Sequence, residues 1–215
     1  MPSKKERYEF FIEYFKKEMP EPKTELDYKS SFQLLVAVIL SAQCTDKRVN
    51  MVTPKLFETY PTPIALSNST PEEVYKIIRS VTYPNNKSKN LVSMAKKLVE
   101  KFNSEIPEDS EKLQELDGVG RKTANVVTSV LFNHPNMPVD THVFRVSARI
   151  GLTTNAKTPL EAEKQLTKQF PKDIIPLAHH WLILHGRYTC IARKPKCNQC
   201  GLISICKYYQ GLEKH

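Results

Sequence analysis

One spacing recurs along almost the whole sequence: apolar residues return at steps of three and four positions. Strands would need apolar and polar residues to alternate, and such alternation is nearly absent. Six segments carry the helical spacing: FQLLVAVILSAQ, EVYKIIRSV, NLVSMAKKLVEKF, KTANVVTSVLF, THVFRVSARIGL and PLAHHWLILHGRY. A chain with this pattern buries its core by packing helices against helices, so we predict an all-α protein.

Small polar residues in front of periodic segments predict where helices begin, because their side chains accept hydrogen bonds from the first helical amides. The four predicted caps are Thr70, Asp109, Asp140 and Thr158. Two polar, proline-bearing breaks, MPEPKTELDYKSS and FNHPNMPVD, divide the 215 residues. We therefore predict a central helical domain over 24–135 and a second lobe formed by 1–23 and 136–215.

The charge balance favours a polyanionic partner. The chain has 32 Lys and Arg against 23 Asp and Glu, a formal charge of +9, which suits nucleic acid or an anionic membrane surface. No stretch approaches the roughly 20 apolar residues of a membrane span. The first residues, MPSKKERYEFF, lack a signal-peptide core. We expect a soluble, intracellular protein.

The segment LDGVGRKTANVV predicts a tight turn followed by a helix. Gly118 and Gly120 are expected to adopt positive φ and to leave amides exposed for a phosphate, near the positive end of the next helix. The alternative is a plain joint held by a buried Val119. Arg121 and Lys122 favour function, because a cation at a helix N-terminus does not serve stability.

Lys122 and Asp140 each have two interpretations. The helix-end potential and an expected partial burial both disfavour the ammonium form of Lys122, which suits a nucleophile, although a phosphate-binding lysine fits equally. Asp140 is an N-cap, and a carboxylate there also suits proton transfer or stabilisation of positive charge on a sugar.

Four of the five cysteines lie within seventeen residues, in the spacing C-x6-C-x2-C-x5-C. In a reducing compartment such a group is expected to bind metal. Zinc sites usually combine two short C-x2-C pairs and this chain has one, while the common ferredoxin spacings do not match either, so zinc and iron–sulfur both stay open. The four are Cys190, Cys197, Cys200 and Cys206.

Other candidates have weaker signals. Arg193, Lys194 and Lys196 lie between the first two of these cysteines and either contact phosphates or form a solvated loop. Gln43 follows an apolar helix, where it either contacts bases and fills the space that a base leaves or is an ordinary surface residue. Cys44 is expected to be a small buried apolar residue. His179, His180 and His185 are expected to pack or to face phosphate.

The motifs LSAQCTD, LDGVGRKTANVV, VDTHVFRV and HHWLILHGRYTCIARKPKC, with the four-cysteine spacing, resemble the endonuclease III family over nearly the whole chain. These enzymes are bifunctional DNA glycosylases and AP lyases of base excision repair. The resemblance implies a helix-hairpin-helix fold with two helical lobes, a DNA-binding cleft between them and a 4Fe-4S cluster in the second lobe. It implies a monomer in the bacterial cytoplasm, at the nucleoid, that removes oxidised pyrimidines such as thymine glycol from double-stranded DNA and also acts at abasic sites.

The resemblance also implies roles for individual residues. The four cysteines match the cluster ligands, Lys122 the catalytic lysine and Asp140 the catalytic aspartate. Gln43 matches the residue that enters the duplex when the damaged nucleotide leaves the stack. The residues implied in DNA contact are Gln43, Gly118, Val119, Gly120, Arg121, His142, Arg193, Lys194 and Lys196.

One loop departs from the family pattern. The family usually has a glycine, a bulky residue and a tyrosine where this chain has Thr82, Tyr83 and Pro84. By the resemblance, this loop lies near the base opposite the lesion.

Two other functions were compared with this one. A single-function glycosylase, such as the adenine-removing enzyme, lacks the lysine and carries a further C-terminal domain, whereas this sequence has Lys122 and nine residues after Cys206. A non-enzymatic DNA-binding module has no use for both Lys122 and Asp140. Nicking of abasic DNA separates the enzyme from the module.

Overall fold

A computed structural model of the protein describes residues 2–212, and every regular element in that range is a helix. The predicted all-α class is confirmed. The α-helices are α1 (Lys4–Glu18), α2 (Ser31–Ser41), α3 (Asp46–Thr59), α4 (Pro63–Ser67), α5 (Pro71–Ile78), α6 (Pro84–Phe102), α7 (Ser110–Leu113), α8 (Arg121–Phe132), α9 (Thr141–Ile150), α10 (Pro159–Gln169), α11 (Ile175–Tyr188) and α12 (Lys207–Leu212). Two short 3-10 helices are Cys197–Gln199 and Ile203–Ile205.

The predicted helix starts are confirmed by the hydrogen bonds of their caps. Thr70 and Glu73 form a capping box at the start of α5, in which each side chain accepts from the other's backbone amide. Asp109, Asp140 and Thr158 likewise accept from first-turn amides of α7, α9 and α10. These helices begin where the local sequence satisfies their unpaired amides.

The chain divides into two compact units. The central unit is Glu25–Phe132, and the terminal unit combines Met1–Thr24 with Asn133–His215. Within residues 2–212, none of the helices has both the length and the apolar content of a membrane span.

Helix α2 forms the middle of the central unit. Eight of its eleven residues are buried, and α3, α6 and α8 pack around it. A helix that is apolar on all sides must be enclosed by other helices, which is what the sequence FQLLVAVIL requires. Helix α6 also packs against α4 and α5, so it spans one side of this unit.

The core of the terminal unit joins the two ends of the chain. The ring of Phe15 in α1 stacks on Trp181 in α11 with centroids 5.6 Å apart. The indole N–H of Trp181 donates to the Met19 carbonyl at 2.7 Å, and Arg7 Nε donates to the Ile205 carbonyl at 3.1 Å. Helix α1 is therefore part of the same core as the last residues described.

Candidate functional site

The predicted hairpin lies between α7 and α8 in the central unit. Gly118 has a φ of 80°, and a Cβ added there would lie 3.1 Å from Cβ of Asn90, so this position requires glycine. Gly120 does not have a positive φ, which corrects that part of the sequence prediction. Val119 is only 5% exposed, and its amide donates to the Leu116 carbonyl at 3.1 Å. The buried valine anchors a turn whose two glycines are exposed.

Helix α6 holds the residue in front of this turn. Asp117 Oδ2 accepts a hydrogen bond from Ser93 Oγ at 2.5 Å and lies 3.0 Å from Lys97 Nζ. The hydrogen bonds from Ser93 and Lys97 lower the pKa of Asp117, so the carboxylate stays ionised near neutral pH. Sequence reasoning missed Asp117, because its partners lie about twenty residues earlier in the chain.

Lys122 lies in the first turn of α8. The Ala124 amide donates to the Gly120 carbonyl at 3.0 Å, so the helical hydrogen bonds begin directly after the hairpin. The side chains of Arg121 and Lys122 are both exposed, and the expected partial burial of Lys122 is therefore wrong.

Asp140 caps α9 in the terminal unit through a single oxygen. Its Oδ1 accepts from the amides of His142 and Val143, both at 2.8 Å, which confirms the capping interpretation. Oδ2 takes no part in these two bonds, so one carboxylate oxygen holds the helix while the other points elsewhere. The ring Nδ1 of His142 lies 3.3 Å from Nη2 of Arg145.

Gln43 and Tyr83 share an unusual backbone conformation. Gln43 lies in the turn after α2 with a φ of 54°, and Tyr83 precedes α6 with a φ of 55°. Both side chains are exposed, Tyr83 by 60%. A left-handed conformation costs energy for residues other than glycine and is concentrated at functional sites. Cys44 is partly buried and packs against the central core.

The four predicted ligand cysteines lie in one short segment of the terminal unit. Cys190 lies just after α11, and Cys197 begins the first 3-10 helix. Cys200 directly follows that helix, and Cys206 directly follows the second. Gly201 leaves room for the ring of Tyr14, which a Cβ at that position would overlap and displace. Arg193, Lys194 and Lys196 are exposed between the first two cysteines, and Lys194 has a φ of 54°.

Arg149 in α9 holds the start of this segment. Its Nη1 donates to the Ile191 carbonyl at 2.8 Å and contacts Cys190 Sγ at 3.5 Å, and its Nη2 donates to the Ala192 carbonyl at 2.9 Å. The Arg149 carbonyl accepts from Cys206 Sγ at 3.5 Å. One residue thus contacts the first and the last of the four thiols. Sequence reasoning missed it.

The three histidines of α11 pack against neighbouring rings, and Nε2 of His185 also lies 3.6 Å from Sγ of Cys200. His179 and His185 are buried, and the ring of His185 meets Phe15 edge-on with centroids 5.6 Å apart. Burial lowers the pKa of both His180 and His185 to about 4, so both are neutral near pH 7.

Known proteins share this arrangement over the whole chain. The family model for "HhH-GPD superfamily base excision DNA repair protein" matches residues 36–172. Endonuclease III of Rickettsia conorii is 49% identical over 202 residues, which are 94% of this chain and 96% of that protein. The chain belongs to the endonuclease III family.

Two solved structures of the family have the same fold. An endonuclease III trapped as a covalent intermediate with DNA is 42% identical, with a TM-score of 0.91 over 99% of this chain and 100% of that one. A non-covalent endonuclease III–DNA complex is 41% identical, with a TM-score of 0.92 over the full length of both chains.

Enzymes of the endonuclease III family carry a 4Fe-4S cluster, and the thiols of this chain fit such a group. Burial raises the pKa of Cys200, a backbone hydrogen bond from Leu202 lowers it, and the nearby Cys206, Cys190 and Cys197 raise it. The four sulfurs therefore lie near one another, as the ligands of one cluster must. Backbone amides of Tyr208 and Tyr209 face Cys206, as amides do around iron–sulfur clusters.

Among the described residues, no three His, Cys, Asp or Glu side chains are arranged around a single metal ion. In a 4Fe-4S cluster each thiolate binds an iron of its own, so the four ligands surround the cluster without sharing one ion.

Proposed function

We propose that this protein is a bifunctional DNA glycosylase and AP lyase of base excision repair, which removes oxidised pyrimidines from duplex DNA and nicks the strand. The observation that carries the proposal is the match to an endonuclease III caught in a covalent intermediate with DNA, at 42% identity over almost the whole chain. A covalent intermediate requires a nucleophile from the protein. Lys122, exposed at the start of α8, is the nucleophile that we assign.

The reaction begins when the damaged nucleotide leaves the base stack. The unprotonated amine of Lys122 attacks C1′ of the sugar, and the bond from C1′ to the base breaks with its electron pair going to the base, which takes a proton that the attacking nitrogen loses. The C1′–O4′ bond then breaks, O4′ takes the second proton from the nitrogen, and an imine joins Lys122 to C1′. Loss of a proton from C2′ then expels the 3′ phosphate, and water releases the lysine. The strand is cut without hydrolysis of a phosphodiester.

Asp140 is proposed to stabilise positive charge at C1′ and to assist proton transfer, using the carboxylate oxygen that does not hold α9. The hairpin around Gly118 and Gly120 is proposed to bind a backbone phosphate, with the charge of Arg121 beside it. Gln43 is proposed to enter the duplex where the nucleotide has left. His142, at the start of α9, is proposed as a further DNA contact.

The terminal unit is proposed as the cluster lobe and the central unit as the domain with the hairpin; the family resemblance implies six helices there, whereas the structure has seven, α2 to α8. Cys190, Cys197, Cys200 and Cys206 would hold the 4Fe-4S cluster, whose contribution when bound is to fix the segment between them. That segment presents Arg193, Lys194 and Lys196, which are proposed to contact phosphates without selecting sequence. The proposed partner is double-stranded DNA with damaged pyrimidines or abasic sites, and the proposed state is a monomer.

Borohydride trapping tests the assignment of Lys122. The reductant converts an imine into a stable amine, so turnover on thymine glycol DNA in its presence should leave protein attached to the strand. Lys122→Gln should still bind the lesion duplex and lose base release, nicking and trapping together. Lys76→Gln, which changes an exposed lysine in α5, is the matched control and should behave as the unmodified protein.

Three outcomes would contradict the proposal. Cross-linking of Lys122→Gln at the normal rate would assign the imine to another amine. Base release without any adduct would indicate water attack, as in single-function glycosylases. DNA binding without base release would indicate a binding module.

A further inference from the structure

The central unit contains a lysine that the proposed chemistry does not use. Lys87 lies in the first part of α6 and is only 6% exposed, which is unusual for a lysine. Its ammonium donates to the Leu40 carbonyl and to the Ala42 carbonyl, both at 2.7 Å. Leu40 lies in the last turn of α2, and Ala42 is the C-cap of that helix.

This arrangement completes the end of α2 from outside. The last carbonyls of a helix have no partner within it and carry partial negative charge, and α2 has no basic residue in its own last turn. The Lys87 ammonium supplies both hydrogen bonds and the opposite charge. Burial lowers the pKa of Lys87, and the nearby Cys44 acts in the other direction.

The residue directly after this capped end is Gln43, with a φ of 54°. Two backbone hydrogen bonds lie on either side of Gln43. The Ala42 amide donates to the Ile39 carbonyl at 3.4 Å, and the Cys44 amide donates to the Ser41 carbonyl at 3.0 Å. An exposed glutamine keeps a left-handed conformation only where neighbouring structure imposes it. The 2.7 Å bond from Lys87 to the Ala42 carbonyl is shorter than either of these backbone bonds.

The same residue is connected to the other left-handed position. The Lys87 amide donates to the Tyr83 carbonyl at 3.1 Å, as the first helical bond of α6. Tyr83 is the N-cap residue of α6, and its side chain makes no capping hydrogen bond. Through its backbone and its side chain, Lys87 therefore joins the Tyr83 loop to the Gln43 turn.

We propose that Lys87 is a positioning residue, whose buried ammonium fixes the turn after α2 so that Gln43 meets the duplex in one conformation. The proposal rests on the proposed function in that it takes Gln43 as the residue that enters the DNA. Lys87 itself touches neither DNA nor the reacting sugar. Its effect on base release passes through Gln43.

Lys87→Met tests this, because methionine fills similar space and removes both donors. Lys89→Met is the matched control: Lys89 is two residues along the same helix, has the same charge and is exposed. Single-turnover base release from a lesion duplex should slow about tenfold in Lys87→Met and change less than about twofold in Lys89→Met, because small displacements of positioning groups have large kinetic effects.

A double-mutant cycle separates positioning from general stability. In a Gln43→Ala background, adding Lys87→Met should lower the rate of base release by less than about twofold, because the residue through which Lys87 acts is already gone. Amide hydrogen exchange at Cys44 should be at least about tenfold faster in Lys87→Met than in Lys89→Met, since the turn opens more easily. If Lys87→Met does not fold, Lys87→Gln keeps an N–H₂ group but loses the charge and part of the reach, and should give an intermediate loss.

Several results would overturn the proposal. Equal losses from the Lys87 variant with and without Gln43 would show that it acts elsewhere, and so would unchanged exchange at Cys44. Full base release by Gln43→Ala would remove the residue through which Lys87 is proposed to act. Failure of the unmodified protein to be trapped on abasic DNA would instead overturn the proposed function, and the exchange comparison would still decide whether Lys87 holds the turn.

Discussion

Asp140 has a structural role and a proposed chemical role, and two substitutions separate them. Asparagine keeps the oxygen that caps α9 and is as good an N-cap as aspartate, while alanine removes the cap. Oδ1 accepts two amides at 2.8 Å, a stronger cap than that of Thr158, which accepts one amide at 3.2 Å. We expect Asp140→Ala to cost about 1–2 kcal/mol of unfolding free energy and Asp140→Asn less than about 0.5 kcal/mol.

The rates of base release should not follow the order of the unfolding free energies. Loss of the negative charge should slow base release by about 100-fold or more in both Asp140 variants. Thr158→Ala, the control for a lost cap, should cost about 1 kcal/mol and keep full activity. Trapping of Asp140→Asn on a preformed abasic site should survive at a lower rate, because the amine of Lys122 is intact.

Thermal unfolding and single-turnover excision on the same preparations measure both quantities. For a chain of this size, 1 kcal/mol corresponds to a shift in Tm of about 2–4 °C. Normal base release by Asp140→Asn would show that the carboxylate only caps the helix. An equal loss of stability in the two Asp140 variants would refute the capping argument.

Three further predictions concern the terminal unit. The purified protein should be yellow-brown with broad visible absorbance, and Cys197→Ser should lose iron and solubility together; colourless, active protein containing zinc would contradict this. Arg193→Ala should weaken binding to damaged and undamaged duplex alike and lower the salt slope by about 1, whereas a loss confined to lesion DNA would assign the loop another role. Gly201→Ala should destabilise the protein by about 1–3 kcal/mol, because the new methyl group meets the Tyr14 ring. Gly211→Ala, where a Cβ meets nothing within 4 Å, is its control.

The sequence predicts the helices well because their signals are local. Thr70 and Glu73 are three residues apart and form their capping box without help from the rest of the chain. The apolar residues on all sides of α2 likewise predict that other helices enclose it. Such features depend on residues that are neighbours in sequence, so the amino-acid sequence alone is enough to predict them.

The residues that sequence reasoning missed act over long separations. Lys87 reaches carbonyls 45 and 47 positions earlier, and Arg149 reaches one 42 positions later. Nothing in the local sequence of either residue indicates which carbonyl it will meet. The left-handed Gln43 is of the same kind, because tertiary contacts and not propensity impose its conformation.

The use of both chain ends in one core has a consequence for synthesis of the protein on the ribosome. The central unit is continuous, so it can fold while the chain is still growing. Helix α1 is synthesised first, yet the 187 residues from Met19 to Ile205 must follow before all its partners exist. At a translation rate of about 5–20 residues per second, the apolar side of α1 stays without its partners for roughly 10 to 40 s. A cluster held by all four cysteines would form only after Cys206 has been synthesised, because that cysteine follows the last of these core residues.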